Sequence, residues 1–305
     1  MQTCLLLLVA SAAVQSPVQA PAESLFVYEG AAPLEVRDSL IQTLENGVRI
    51  FNLTYASPKG GLVTAYLVVP PGPGPFAGVL FGHWGLGNRS EFLPEAIHYA
   101  ERGAVGLMID WPWTRWPPNR RDQGPLDKPE QDRAVFVQAV VDLRRGLDVL
   151  AARPDLDRRR LGYVGHSYGA QFGAVLAAVD PRVSAAVLMA GIPDNATFMI
   201  ESKDPDVLAY RARWTREQIE SYMAVNAPVD AVGWVGRISP RPLLMQFGWY
   251  EHAIPMESMR RYAAASREPR TVLWYPTGHE LNDPRAWSDR TAWVIRQLHL
   301  SMPAR

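Results

Sequence analysis

The chain has 305 residues, of which 48% are hydrophobic and 20% are charged, and its formal net charge is +0. This composition is ordinary for a globular protein and lacks the basic excess of a nucleic-acid binder. A balanced charge provides no long-range steering of a charged ligand. We therefore expect a small, neutral substrate and no nucleic-acid partner, while the oligomeric state stays open.

The N-terminus carries an apolar, uncharged run from Cys4 to Val14. It is too short to span a bilayer but fits the hydrophobic region of a secretory signal, and small residues follow it. We predict a signal peptide over residues 1–20, a secreted or periplasmic protein, and no stable membrane insertion. Because Cys4 is the only cysteine, the processed chain of residues 21–305 uses neither a disulfide nor a thiol nucleophile.

Strand-like and helix-like segments alternate along the chain after an initial β-rich pair. The runs at residues 48–54 and 62–69 flank a Gly-containing turn and predict an antiparallel hairpin. Further strands are predicted at residues 78–81, 104–109, 161–164, 183–189, 243–247 and 271–275. Helices are predicted at residues 91–102, 131–150, 168–178 and 256–265, and from residue 284 to about residue 300. The alternation predicts an α/β fold with a mostly parallel sheet, an antiparallel N-terminal hairpin and helices on both faces.

One long segment, residues 191–239, interrupts this alternation between two predicted strands. It is mixed in composition and helical over about residues 217–225. Long insertions in compact domains are often functional, so we predict a small cap over the strand ends within a single domain. A plain surface excursion is the alternative.

The motif Gly165-His166-Ser167-Tyr168-Gly169 matches G-x-S-x-G. It follows an apolar strand and precedes a helix rich in small residues, which is the setting of a nucleophile elbow. The tight turn needs glycines at its flanks and presents the serine hydroxyl at a helix N-terminus, where the dipole favours an oxyanion. Ser167 is therefore the candidate nucleophile.

With this motif in place, the sequence resembles the α/β-hydrolase superfamily, and within it the dienelactone-hydrolase-like and prolyl-oligopeptidase-like esterases. The resemblance covers about residues 45–300 and includes the helix–strand–elbow passage from Asp142 to Gly169. It implies the α/β-hydrolase fold and catalytic partners in the order serine, acid, histidine.

The resemblance implies the remaining members of a catalytic triad. His279 follows the last predicted strand, where the family places its histidine, and His252 is the only competitor. Glu251 fits the family's G-x-x-[DE]-x-x-V-P pattern after the penultimate strand and would orient the imidazole. Asp194, after the preceding strand, is the alternative acid.

Two backbone N–H groups are expected to form an oxyanion hole. One belongs to Tyr168, the residue after the nucleophile. Alignment gives the other to Gly85, with Trp84 as the alternative. Trp84 stands where the family commonly has glycine, so it adds a bulky wall to the site.

Aromatic residues follow several predicted strands, and in this topology such positions converge on one substrate pocket. They favour an apolar or aromatic group in the substrate, with sugar stacking as the alternative. The predicted pocket residues are Trp84, Trp111, Trp113, Trp116, Trp249 and Tyr250.

These observations predict a serine-dependent carboxylic-ester hydrolase that acts on a small-molecule ester through an acyl-enzyme. No motif for a metal or cofactor is recognised, so none is expected. The alternatives are a serine peptidase of the prolyl-oligopeptidase type, for which the chain lacks room for the large propeller, and a binding protein without activity. Ser167 argues against the cysteine chemistry of dienelactone hydrolase and the aspartate chemistry of dehalogenases.

Overall fold

Strand pairing in the computed structural model, which describes residues 23–301, joins nine strands into one sheet. The strands are β1 (Arg37–Thr43), β2 (Arg49–Ala56), β3 (Leu62–Val69), β4 (Phe76–Gly82), β5 (Ala104–Ile109), β6 (Leu156–His166), β7 (Val183–Met189), β8 (Leu243–Gly248) and β9 (Arg270–Tyr275). Their order is β1-β2-β3-β5-β4-β6-β7-β8-β9. Strands β4 to β9 pair in parallel, whereas β1, β2 and β3 are antiparallel. The predicted fold class is confirmed.

The α-helices of the described residues cover both faces of this sheet. They are α1 (Leu93–Ala100), α2 (Pro129–Ala151), α3 (Tyr168–Val179), α4 (Pro205–Arg211), α5 (Arg216–Asn226), α6 (Met256–Ala265) and α7 (Pro284–Gln297). One hydrophobic cluster includes α2, α3 and α6, and a second includes α1 and α7. Burial on both faces explains why β4 and β5 are continuously apolar, as parallel strands are.

The N-terminal hairpin forms as predicted, with β2 and β3 in unbroken antiparallel register from Arg49 opposite Val69 to Ala56 opposite Leu62. The sequence prediction missed β1. All seven of its residues are exposed, and it pairs only with β2 at the edge of the sheet. An edge strand with no buried face carries no alternating hydrophobic pattern, so the sequence had no signal to read.

The start of α1 differs from the prediction in a way that matters for the site. The helix begins at Leu93 rather than at residue 91, and Pro94 occupies its first turn. Glu91 therefore lies in the loop between β4 and α1. Its carboxylate is directed at groups elsewhere in the fold instead of at solvent along a helix face.

Residues 191–239 contain two parts that pack differently. Helix α5 packs on α2, where Tyr222 donates a hydrogen bond of 2.8 Å to Asp132. The following helical turns, around Trp234, join the main core beside α3 and α6. Helices α4 and α5 contribute no residue to the two main hydrophobic clusters, and the role of residues 191–239 as a cap stays a prediction.

The predicted signal peptide, residues 1–20, lies outside the described residues. Within residues 23–301, none of the helices is both long and apolar enough to cross a bilayer.

Candidate active site

The loops that carry the predicted site residues all follow parallel strands, so they meet at one edge of the sheet. Ser167 follows β6, Glu251 follows β8 and His279 follows β9. Because β8 and β9 are neighbours, backbone bonds from Trp249 to Tyr275 and from Tyr250 to Thr277, of 2.8 and 3.0 Å, hold the last two loops together.

Ser167 occupies a strained turn between β6 and α3, with φ 56° and ψ −113°. A Cβ at Gly165 would overlap the Gly169 backbone, and a Cβ at Gly169 would overlap the carbonyl of Gly82. Gly165 is therefore required for the tight turn of the elbow itself, and Gly169 for its close approach to β4. Strain of this kind at a buried serine is typical of functional sites.

The structure brings Ser167, His279 and Glu251 into one hydrogen-bonded chain. His279 Nε2 lies 2.9 Å from Ser167 Oγ, and His279 Nδ1 lies 2.6 Å from Glu251 Oε2. Because an ionised carboxylate only accepts, the imidazole donates its Nδ1–H to Glu251 and has Nε2 free to accept from the serine hydroxyl. This is the arrangement in which an imidazole acts as a general base toward a serine.

Glu251 is held as a charged group despite full burial of its side chain. Burial by itself raises the pKa of the carboxyl, but hydrogen bonds from His279 and from the N–H groups of Ala253 and Ile254 more than offset this effect. The pKa of Glu251 is therefore below its ordinary value. A carboxylate that is ionised at pH 7 can stabilise the imidazolium that forms when His279 takes a proton.

The two competing residues from the sequence contact other partners. His252 is largely exposed and lies 3.0 Å from Asp204, whose hydrogen bond raises the pKa of the His252 imidazole. Asp194 accepts a hydrogen bond of 3.0 Å from Arg261 and two further bonds from Thr197. Neither has a hydrogen bond to His279 within residues 23–301.

Of the two oxyanion-donor candidates in the loop after β4, only one has an uncommitted N–H. The Trp84 N–H donates to Glu91 Oε2 at 2.8 Å. The N–H groups of Gly85 and Tyr168, by contrast, have no acceptor among residues 23–301. Gly85 also lies so close to the Tyr168 ring that any Cβ at residue 85 would overlap it. The geometry thus favours Gly85 over Trp84 as the partner of Tyr168.

His83 fixes the same loop from the other side. Its Nδ1 lies 2.6 Å from the Trp84 carbonyl, and its Nε2 accepts from the Trp111 N–H at 3.4 Å. Burial lowers the pKa of His83 to about 4, so the ring is neutral at pH 7, and this pattern requires the Nδ1–H tautomer. Both backbone groups of Trp84 are therefore bound.

A second histidine–glutamate contact lies beside the site, and the sequence analysis did not identify it. His166 Nδ1 lies 2.7 Å from Glu91 Oε1, and His166 Nε2 lies 2.8 Å from the carbonyl oxygen of His279. The available signal was a histidine inside the elbow motif, but its partners are 75 and 113 residues away along the chain. Local patterns cannot report contacts at that separation.

The six aromatic residues predicted to line one pocket do not share one environment. Trp111 is fully buried and contacts Phe172 in the core, so it has no surface for a ligand. Trp249 stacks on Trp274 at 4.8 Å. Trp84 is partly exposed, and Tyr250 and Trp116 are largely exposed. The position of each residue after a strand predicts the region of the fold in which it lies, but packing determines the direction of its side chain.

Two of the six residues, Trp113 and Trp116, line an open cleft of about 840 Å³ next to the loop after β4. Trp113 donates its indole N–H to the Gly85 carbonyl at 2.7 Å and packs against the Tyr168 ring, so the cleft adjoins the candidate oxyanion hole. The lining residues are Tyr66, Leu86, Gly87, Asn88, Arg89, Ser90, Asp110, Trp113, Thr114, Trp116, Arg120, Asp122 and Gln123. Most of them are polar or charged.

No cluster of three or more histidine, cysteine or acidic side chains suited to a metal ion occurs within residues 23–301.

Comparison with known proteins gives several esterases and other hydrolases. No family model matches the chain. The uncharacterised protein YfhR of Salmonella typhimurium is 25% identical over 219 residues, covering 68% of this chain and 71% of YfhR. Esterase FrsA of Shigella boydii is 25% identical over 296 residues, covering 92% of this chain and 64% of FrsA, so this chain spans less than two thirds of FrsA.

Among solved structures, the acetyl xylan esterase from Paenibacillus sp. R4 superposes with a TM-score of 0.76. It is 19% identical, and the match covers 90% of this chain and 91% of that one. At this level of identity the likeness establishes the fold. The chain has the α/β-hydrolase fold, and the resemblance recognised from the elbow and the segments around it is confirmed.

Proposed function

We propose that this protein is a serine-dependent carboxylic-ester hydrolase. The observation that carries the proposal is the continuous hydrogen-bonded chain from Ser167 Oγ through the His279 imidazole to the buried carboxylate of Glu251. The esterase names of its relatives support the same reaction class. A non-enzymatic binding protein would not need a charged carboxylate held in full burial behind an imidazole.

The geometry supports acyl transfer in two steps. His279 Nε2 takes the Ser167 proton as Oγ attacks the ester carbonyl carbon, and the N–H groups of Tyr168 and Gly85 stabilise the resulting oxyanion. When the C–O bond to the alcohol breaks, His279 returns the proton to the departing oxygen. Water, deprotonated by His279, then cleaves the acyl–serine bond, which releases the acid and restores the serine hydroxyl.

Substitution of Ser167 by alanine tests the reaction class. The variant should remain folded and lose about 10⁴- to 10⁶-fold in kcat, because the members of a triad act as a unit. A fluorophosphonate probe should label the wild type at Ser167, as identified by peptide mass spectrometry. Full activity in the variant, or labelling at another residue, would refute the proposal.

For the substrate, the cleft favours a hydroxyl-rich alcohol over an apolar group. Its lining combines a Trp116 side chain that is 82% exposed with charged groups such as Arg89 and Asp110, which lie 3.6 Å apart. An exposed indole beside polar groups is suited to stacking against a sugar ring while hydroxyls find hydrogen-bond partners. We therefore propose an acetylated saccharide or similar polyol ester, and the acetyl xylan esterase neighbour agrees with it.

The substrate proposal is tested by comparing Trp116→Ala with the wild type on an acetylated oligosaccharide and on p-nitrophenyl acetate. Loss of stacking should raise KM for the oligosaccharide about 5- to 50-fold, from about 1–2 kcal/mol of contact, and leave the small ester unchanged. Trp287→Ala is the matched control, because that exposed indole packs on His98 on the α1–α7 face. An equal effect on both esters, or faster cleavage of aminoacyl-p-nitroanilides, would favour the apolar-substrate or peptidase alternative.

We further propose that residues 1–20 direct export and are removed. The support is the uncharged apolar run before Val14 and the small residues after it. Mass spectrometry of the mature N-terminus in cell fractions tests this, and an intact N-terminus in the cytoplasmic fraction would overturn it.

A further inference from the structure

The side chains of Glu91 and His166 connect the two loops on which the proposed chemistry depends. Glu91 uses one carboxylate oxygen for the Trp84 N–H at 2.8 Å and the other for His166 Nδ1 at 2.7 Å. His166 uses its remaining nitrogen for the carbonyl oxygen of His279 at 2.8 Å. The chain of contacts therefore runs from the oxyanion loop after β4 to the backbone of the proposed general base after β9.

The partners of His166 determine where its protons lie. A backbone carbonyl only accepts, so Nε2 carries a hydrogen and donates it to His279. The remaining contact, between His166 Nδ1 and Glu91, needs one hydrogen between them, either as an imidazolium facing a carboxylate or as a neutral ring facing a carboxylic acid. In both forms one proton lies between His166 Nδ1 and the Glu91 carboxylate. Because both ring nitrogens of His166 are engaged, His166 cannot serve as a second base toward Ser167.

The Glu91 contact also decides which N–H of the oxyanion loop is available. The Trp84 carbonyl is bound by His83 and the Trp84 N–H by Glu91, so the peptide groups on both sides of Trp84 are fixed. The next residue, Gly85, lies so close to the Tyr168 ring that a Cβ would overlap it, and its N–H is unpaired within residues 23–301. Without Glu91, the Trp84 N–H would lose its acceptor, and of the two contacts to the Trp84 backbone only that with His83 would remain.

We propose that Glu91 and His166 are a positioning pair that holds the oxyanion loop and the His279 loop in register for acyl transfer. The proposal rests on the proposed serine-hydrolase function. His166 is largely buried and Glu91 partly so, which limits the access of water to the contact between their two side chains. The pair touches no reacting atom, and it acts through the position of Gly85 and His279.

Glu91→Ala and His166→Ala, each measured on p-nitrophenyl acetate, test this pair. Each should lower kcat about 10- to 100-fold with KM changed less than about threefold, because misplacement of catalytic groups weakens the transition state more than the bound ester. The double variant should lose about as much as either single variant, since removing one member already breaks the connection. Glu91→Gln, which retains an acceptor for Trp84 and a donor for His166, should restore most of kcat.

Glu95→Gln is the matched control. Glu95 is a buried carboxylate on α1, one turn from Glu91, that pairs with Arg290 at 2.8 Å and has no part in either loop. This variant should lower the melting temperature and leave kcat unchanged. Losses of kcat that merely follow melting temperature in all variants, additive losses in the double variant, or wild-type kcat in a folded Glu91→Ala would each overturn the positioning role.

The Ser167→Ala variant separates the two proposals. If it retains wild-type activity, the serine-hydrolase function fails whatever the pair does. If it is inactive while the folded Glu91→Ala and His166→Ala variants match the wild type, only the positioning pair fails.

Discussion

His279 and His166 lie side by side at the same edge of the sheet, with ring centres 5.3 Å apart, and each has one nitrogen within 2.7 Å of a glutamate. What differs is the partner of the other nitrogen. His279 Nε2 faces the hydroxyl of Ser167, which can donate a proton, whereas His166 Nε2 faces a carbonyl, which can only accept. In the roles that we propose, the group opposite the carboxylate, rather than the carboxylate itself, makes His279 a general base and His166 a positioning residue.

The two glutamates differ in the same sense. Glu251 has both oxygens satisfied within its own loop and by His279, and its lowered pKa keeps it charged behind the base. Glu91 divides its oxygens between Trp84, in its own loop, and His166, at the end of β6. A carboxylate that binds one ring orients it, whereas a carboxylate that binds two segments connects them.

The largest expected effect distinguishes the two histidines directly. His279→Ala should lower kcat about 10⁴- to 10⁶-fold, since the serine loses its general base, compared with about 10- to 100-fold for His166→Ala. His252→Ala should cost little, because that imidazole is exposed and pairs with Asp204. Steady-state kinetics on one ester decides the order. An inactive His252→Ala beside an active His279→Ala would show that the base is misassigned.

A smaller effect distinguishes the two candidate acids. Glu251→Gln should lower kcat about 10²- to 10⁴-fold, because the amide can stabilise the wrong imidazole tautomer while keeping the shape of the site. Asp194→Asn should be nearly silent, since Asp194 contacts Arg261 and Thr197 instead of the imidazole. A large loss of kcat in Asp194→Asn, together with an unchanged kcat in Glu251→Gln, would show that the acid is Asp194, in the loop after β7.

The same Glu251 variant should also change the acid stability of the fold, which is the smallest effect. Because the folded pKa of Glu251 lies below its unfolded value, its contribution to the free energy of unfolding is present above the unfolded pKa. That contribution is lost as the pH falls through the folded pKa. Denaturant unfolding at several pH values should therefore show a shallower acid loss for Glu251→Gln than for the wild type. Parallel curves would mean that the carboxylate is not stabilised as described.

Much of the fold could be predicted because it is encoded locally. The bounds of β3, β5, β7 and α6 agree with the sequence prediction, since their hydrophobic runs and periodicities coincide with what they bury. The elbow was recognisable for a similar reason: its glycines and serine are contiguous, and the strain they accommodate lies within five residues. The same contiguity made Ser167 the clearest candidate.

Side-chain direction was beyond the sequence. Trp111 and Trp116 belong to one loop after β5, yet the first is buried against Phe172 and the second projects into the cleft. Nothing in the spacing of the tryptophans distinguishes a core position from an exposed one, because that choice depends on which elements pack around the loop.

By itself, then, the sequence determined the alternation of strands and helices from β2 onward outside residues 191–239, the strained turn at Ser167 and the strand ends where its partners follow. These depend on periodicity and on backbone rules that act over a few residues. Only the tertiary structure decided that Glu251 rather than Asp194 meets His279, that Gly85 rather than Trp84 keeps a free N–H, and that Glu91 reaches His166. Each of these outcomes depends on which hydrogen bonds form once the loops lie together at the edge of the assembled sheet, and buried polar groups must find such partners wherever the fold supplies them.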